Sequence, residues 1–137
     1  MTGFLYARIK NIRSIRPVNK TTGMVTTMNE LLVKDTSGEV KPATSASVHA
    51  DLVGICNQTI AAADALLTVP VIEIFPNDTF VVDSTNNSDV THNGQWMVLT
   101  DSTHVNNTGT TSATGIVEQV GTLGATTDKK IIVKFVF

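Results

Sequence analysis

Asp101, Ser102 and His104 stand within the four-residue stretch "DSTH". They are the side-chain types from which hydrolases build a nucleophile, its general base and the carboxylate that orients the base. A working triad draws these partners from separate segments, so that each can be aimed at the next. Three members packed into four loop residues cannot converge in that way, and Ser102 lacks the strained Gly-x-Ser-x-Gly elbow that exposes a nucleophile. The sequence therefore argues against an enzyme and assigns no catalytic residue. Metal ligation is the second chemistry on offer, through His49, Asp51, His92 and His104. Only the His-Ala-Asp run at 49 to 51 has a short spacing, and a metal site needs ligands fixed at such spacings or on one rigid face. These histidines read as solvated loop residues, and no metal or other cofactor is expected. The single cysteine, Cys56, lies in "DLVGICNQ" among apolar neighbours and reads as a small buried hydrophobe rather than a reactive thiol. No P-loop, dinucleotide-binding glycine motif or thiolate zinc pattern is present in the sequence.

Charge is more informative than any motif. The net charge of −2 conceals a segregation: five of the ten basic residues, Arg8, Lys10, Arg13, Arg16 and Lys20, precede the first acid, Glu30. The remaining five lysines face all twelve acids, so a +5 segment is joined to a −7 body. Such a basic segment suits docking onto an acidic surface of a partner or neighbour. With Phe4 and Tyr6 nearby it also has the residue types of a nucleic-acid contact. The acidic body would repel phosphate, however, and no RRM, KH or helix-turn-helix context surrounds it, so no direct nucleic-acid partner is expected. No run of 18 apolar residues and no signal-peptide core occurs, which leads to the expectation of a soluble protein made in a cytoplasm, without a membrane partner.

The elements that must position these residues are strands. Charged residues make up 16% of the 137-residue chain, well below the usual quarter or so, and Thr, Asn and Ser fill the deficit. Thr is β-branched and fits a pleated surface, while Asn, Ser and Gly make turns. "ELLVKDTSGEVKPAT" predicts a hairpin turning at "DTSG", with Pro42 at its end or at an edge. "VHADLVGICNQTI" supplies a strand in which Gly54 marks a bulge or a close backbone approach. "AAADALL" reads as a short helix or a tight connection. "TVPVIEIFPNDTFVVDST" predicts two strands about a "PND" turn, with Pro70 keeping the first at an edge or bulge. "QWMVLTD" reads as one strand with Trp96 and Val98 on one face and Met97 and Leu99 on the other, Trp96 being expected in the core. "GIVEQVG" and "KKIIVKFVF" complete the set, the last tied into a sheet or a contact between subunits. The fold class expected is all-β: a single antiparallel β-sandwich or barrel spanning 26–137, preceded by an extended basic arm, 1–25, that orders on contact rather than joining the core.

Taken in order, "DLVGICNQTI", "VPVIEIFPNDTFVVDST", "NGQWMVLTD", "GIVEQVG" and "KKIIVKFVF" resemble the capsid decoration, or cement, proteins of tailed bacteriophages, the small all-β kind with a β-tulip-like sandwich. The resemblance is one of pattern over about residues 31–137 and contains no signature motif. It implies a structural virion protein without catalytic residues, synthesised in the host cytoplasm and seated on the outer capsid surface. There it would be a homo-oligomer, dimer or trimer, that bridges and stabilises the major capsid protein. On that reading Leu5, Tyr6, Arg8, Lys10, Arg13, Arg16 and Lys20 form the capsid-binding arm, and Phe135 and Phe137 are candidates for an intersubunit contact. "TDSTHVNNTGTTSATG" then becomes a long polar loop or hairpin tip. A tail, baseplate or head-fibre component shares the composition. So does a carbohydrate-binding module, although the chain is poorly supplied with the aromatic platforms such modules use.

Overall fold

The computed structural model describes residues 3–8, 15–21, 23–60, 67–108 and 113–137, with the backbone alone at 6–8. Among the described residues twelve strands are present: β1 (Leu5–Arg8), β2 (Ile15–Asn19), β3 (Leu31–Lys34), β4 (Val40–Pro42), β5 (Leu52–Cys56), β6 (Thr68–Ile72), β7 (Thr79–Ser84), β8 (Trp96–Met97), β9 (Leu99–Asp101), β10 (His104–Val105), β11 (Val117–Leu123) and β12 (Lys130–Phe135). Among the described residues the helical structure is limited to three single 3₁₀ turns, His49–Asp51, Val90–His92 and Thr126–Asp128. The fold is all-β, as the composition requires.

One sheet has the order β2-β6-β5-β3-β4 and is antiparallel throughout. The other runs β8-β11-β12-β7-β10-β9, and β1 adds to β7 alongside Thr79–Val81, while β10 pairs in parallel with Asp83 and Ser84 further along the same strand. β8 and β9 are neighbours in sequence but stand at opposite ends of that order. The predicted "QWMVLTD" strand is thus split at Val98, one half pairing with β11 and the other with β10, and this bends the sheet into a nearly closed barrel.

Local chemistry accounts for the turns. In the β3–β4 hairpin Asp35 N–H donates to Glu39 O at 2.7 Å, Gly38 takes φ 83°, and the Asp35 carboxylate accepts from the N–H groups of Ser37 and Glu39 at 2.8 and 3.0 Å. Between β6 and β7 the expected turn closes with Asp78 N–H donating to Phe75 O at 3.2 Å and with Asn77 in the left-handed region at φ 68°. Gly54 satisfies both expectations made of it. Register shifts between Leu32 and Val33 opposite β5, and a Cβ at position 54 would meet the Ile72 carbonyl oxygen at 2.5 Å. Pro42 lies on edge strand β4, but Pro70 lies on β6, which has a neighbour on both sides. It faces Pro17 across β2, and it accepts from Asn57 N–H without an N–H to return, so β5 ends at Cys56.

The main core lies between the sheets and contains Leu31, Val33, Ile55, Phe80, Val82, Met97, Leu99, Ile131 and Val133. A smaller cluster of Leu32, Val40, Cys56, Val69 and Val71 occupies the opposite face of the five-stranded sheet. Burial on both faces explains why Leu31, Leu32 and Val33 are consecutive yet all fully covered.

The N-terminal segment departs from the expected detached arm. Phe4 is 1% exposed, and its ring centroid lies 5.2 Å from that of Phe135 and 6.4 Å from that of Phe80. β1 and β2 each join a different sheet, and Lys20 and Thr21 reach round to β4, where Thr21 N–H donates to Val40 O at 3.0 Å. The physical reason is that exposed strand edges and a Phe-sized gap in the core are filled most economically by the chain's own first strands. Apart from Leu67, "AAADALL" lies outside the described residues.

Candidate functional site

The "DSTH" cluster forms a tight hairpin between β9 and β10 in which His104 pairs with Asp101. Asp101 Oδ1 accepts from Thr103 N–H at 2.8 Å and lies 3.0 Å from His104 Nδ1. Burial works to raise the Asp101 pKa, but these contacts outweigh it and hold the carboxylate below its ordinary range. Ser102 turns the other way. Its hydroxyl donates to Glu30 Oε2 at 2.9 Å, and its carbonyl accepts from Leu31 N–H at 2.9 Å. The residues of the apparent triad are therefore committed to separate partners: His104 to Asp101, and Ser102 to a carboxylate from before β3. The run expected as a long polar loop or hairpin tip is a hairpin in its first part, and 109–112 lie outside the described residues.

Glu30 is the residue that sequence reasoning missed here. It is 4% exposed and accepts from Thr27 N–H at 2.8 Å as well as from Ser102. Burial pushes its pKa up, and the two hydrogen bonds only partly offset this. Its role is structural, tying the strand before the core to the β9–β10 hairpin. Cys56 is fully buried, and burial pushes its thiol pKa up, in keeping with a packing role. Among the described residues no group of three or more His, Cys, Asp or Glu side chains is placed to hold a metal ion. No helix among them is long and apolar enough to cross a membrane.

The seven arm residues fare differently from one another. Lys10 and Arg13 lie outside the described residues, while Tyr6 and Arg8 contribute backbone to β1 and Leu5 is half-buried there. Arg16 is exposed on edge strand β2, with Nε 3.6 Å from Glu73 Oε1. Lys20 corrects the expectation: it is 1% exposed, its ammonium donates to Met24 O at 3.3 Å, and its charge is not available to a docking partner. Phe135 is likewise corrected. It is 4% exposed and packs against Phe4 and Phe80, so it is a core residue and not a surface contact. Phe137, at 66% exposure, remains at the surface.

Among the described residues there is a cleft of about 230 Å³ whose wall includes Asn77, Trp96, Glu118, Lys134 and Phe137. Its construction follows from register: Trp96 on β8, Glu118 on β11 and Lys134 on β12 are direct cross-strand neighbours. All three are half-buried, whereas Met97, Val117 and Phe135 point into the core. Trp96 was expected in the core and is instead on the outer face. Its indole N–H donates to Glu118 Oε1 at 3.1 Å, and Lys134 Nζ lies 3.4 Å from Glu118 Oε2. Compared with protein-family models, curated proteins and solved structures, the chain matches none. Any reading of function therefore rests on its own residues.

Proposed function

We propose that this chain is a structural virion protein that decorates the outer surface of a tailed-phage capsid as a homo-oligomer, stabilising it by bridging major capsid subunits. The observation that carries the reading is the segregation of charge in the sequence, a +5 N-terminal segment on a −7 body, with Arg16 exposed although Lys20 is buried, in an all-β chain whose turns are built from Thr, Asn, Ser and Gly. Among the described residues the strand that bears Arg16 is the edge of its sheet and is largely exposed, so both its basic side chain and one side of its backbone are accessible. An exposed edge of this kind suits attachment to another chain, with charge steering the approach. Weak contacts repeated over an oligomer on a periodic shell sum to tight attachment. The exposed side chain of Phe137 supplies an apolar element for a contact between copies.

Co-sedimentation with mature shells of the encoding virus, stripped of this chain, tests the reading. The expected result is saturable binding in a fixed ratio to the major capsid protein, weakened by salt and by Arg16→Glu. Deletion of 1–20 is not a usable variant, because it removes Phe4 and two strands from the fold. Failure of the full-length chain to bind shells at any salt concentration overturns the proposal.

A further inference from the structure

The geometry points to a binding subsite for one neutral sugar residue in the cleft between Trp96 and Phe137. This inference stands independently of where in a particle the chain is placed. Three observations carry it. First, Trp96 lines the cleft with its N–H already engaged by Glu118 at 3.1 Å. The ring is thereby fixed in orientation, and what it offers a ligand is apolar aromatic surface. The C–H face of a pyranose is the small-molecule surface that stacks on such a ring while its hydroxyls point sideways. Secondly, hydroxyl partners stand at the edge of the same ring. Each Glu118 oxygen accepts one contact, from Trp96 and from Lys134 at 3.4 Å, and retains a second lone pair. The Lys134 ammonium has further N–H donors, and the Asn77 amide, also in the lining, offers both donor and acceptor.

Thirdly, charge and size select among ligand classes. Glu118 and Lys134 are the charged side chains on the wall and offset each other, so its side chains give no net attraction to phosphate or to a free cation. A volume of about 230 Å³ accepts a single ring and not a dinucleotide or a helix. A purely apolar side chain from another protein would fill the space, but it would strip water from Glu118 and Lys134 without replacing their hydrogen bonds. Sugar hydroxyls both donate and accept, and so satisfy this wall.

Trp96 is the only tryptophan in the chain and is its own reporter. The full-length protein is titrated with the methyl glycosides of glucose, galactose, mannose and N-acetylglucosamine and with short oligomers of each, following tryptophan emission. A saturable spectral change with at least one of them is expected, with a Kd on the order of 1 mM, as befits a single subsite. Glu118→Gln should weaken it about ten-fold, the expected scale for loss of one charged hydrogen-bond partner. Trp96→Phe, followed by calorimetry and checked for folding by circular dichroism, should weaken it to a similar or greater extent. The absence of a saturable response to every sugar into the tens of millimolar overturns the proposal. Binding that persists unchanged in folded Trp96→Phe and Glu118→Gln overturns it too, since the site is then elsewhere. If sugars are without effect and Trp96→Ala changes the sedimentation mass, the cleft is a contact between copies and the proposal fails. Shell binding can succeed or fail without altering any of these outcomes.

Discussion

Phe4→Ala separates an integral N-terminal strand from a detachable arm. Phe4 is 1% exposed and touches both Phe80 and Phe135, whose own centroids lie 5.0 Å apart in an edge-on arrangement. Truncating a buried phenylalanine costs about 3–5 kcal/mol once the cavity is counted. Because Phe4 belongs to a three-ring cluster, a value near the middle of that range, about 4 kcal/mol, is expected. With a urea dependence of about 2 kcal/mol per molar for a domain of this size, the unfolding midpoint should fall by about 2 M, with little change in slope. The assay is equilibrium urea unfolding followed by far-ultraviolet circular dichroism and by Trp96 emission, which should give coincident transitions. Phe137→Ala is the control: its side chain is 66% exposed, and the midpoint should move by less than the equivalent of about 0.5 kcal/mol. A Phe4→Ala midpoint within about 0.5 M of the parent would refute the placement of this segment in the core.

Ser102→Ala and His104→Ala should differ in cost. The first leaves the buried Glu30 carboxylate short of a donor and is expected to cost about 1–3 kcal/mol in urea unfolding. The second removes a half-exposed ring from a surface contact with Asp101 and should cost less than about 1 kcal/mol; the reverse order would contradict the geometry. Glu30→Gln tests the pH dependence. Burial raises the folded pKa of Glu30 above its ordinary 4.5, so the folded state holds the extra proton between the two values. Glu30's contribution to stability is therefore present below 4.5 and is lost as pH rises through the folded pKa. The parent should accordingly lose stability relative to Glu30→Gln as pH rises above 4.5, and a parallel pair of stability–pH curves would count against this. Gly54→Ala places a Cβ 2.5 Å from a backbone carbonyl oxygen, which cannot move aside without breaking the β5–β6 contact. A loss of about 1–3 kcal/mol in thermal or urea unfolding is expected, and a neutral result would mean that the close approach is absent.

Much of this architecture is written locally. Asp35 to Gly38 encode a turn by side-chain capping and positive φ, and Phe75 to Asp78 do the same, because each depends on neighbours a few residues away; Gly54 signals its bulge by lacking a side chain, although the strands it meets are distant in sequence. One further feature was legible in the sequence. In "KKIIVKFVF" Ile131, Val133 and Phe135 have the parity opposite to Lys130 and Lys134 and lie inside in the structure, although Phe135 was expected as a candidate intersubunit contact. The face of Trp96 was not legible, since "WMVL" is apolar at four consecutive positions and a period of two does not say which alternate pair points inward.

The sequence by itself determined that the chain is all-β, where the β3–β4 and β6–β7 turns lie, and that its charge is divided between a basic beginning and an acidic body. Only the tertiary structure decided which strands become neighbours. It split one apolar run into β8 and β9 to close a barrel, wove β1 and β2 into different sheets, and buried Lys20 and Glu30. It also aligned Trp96, Glu118 and Lys134 across three strands into a single cleft. The reason is physical: turn chemistry and alternation act over a few residues. Strand pairing and burial depend on partners tens of residues away, where the sequence records which faces need cover but not what covers them.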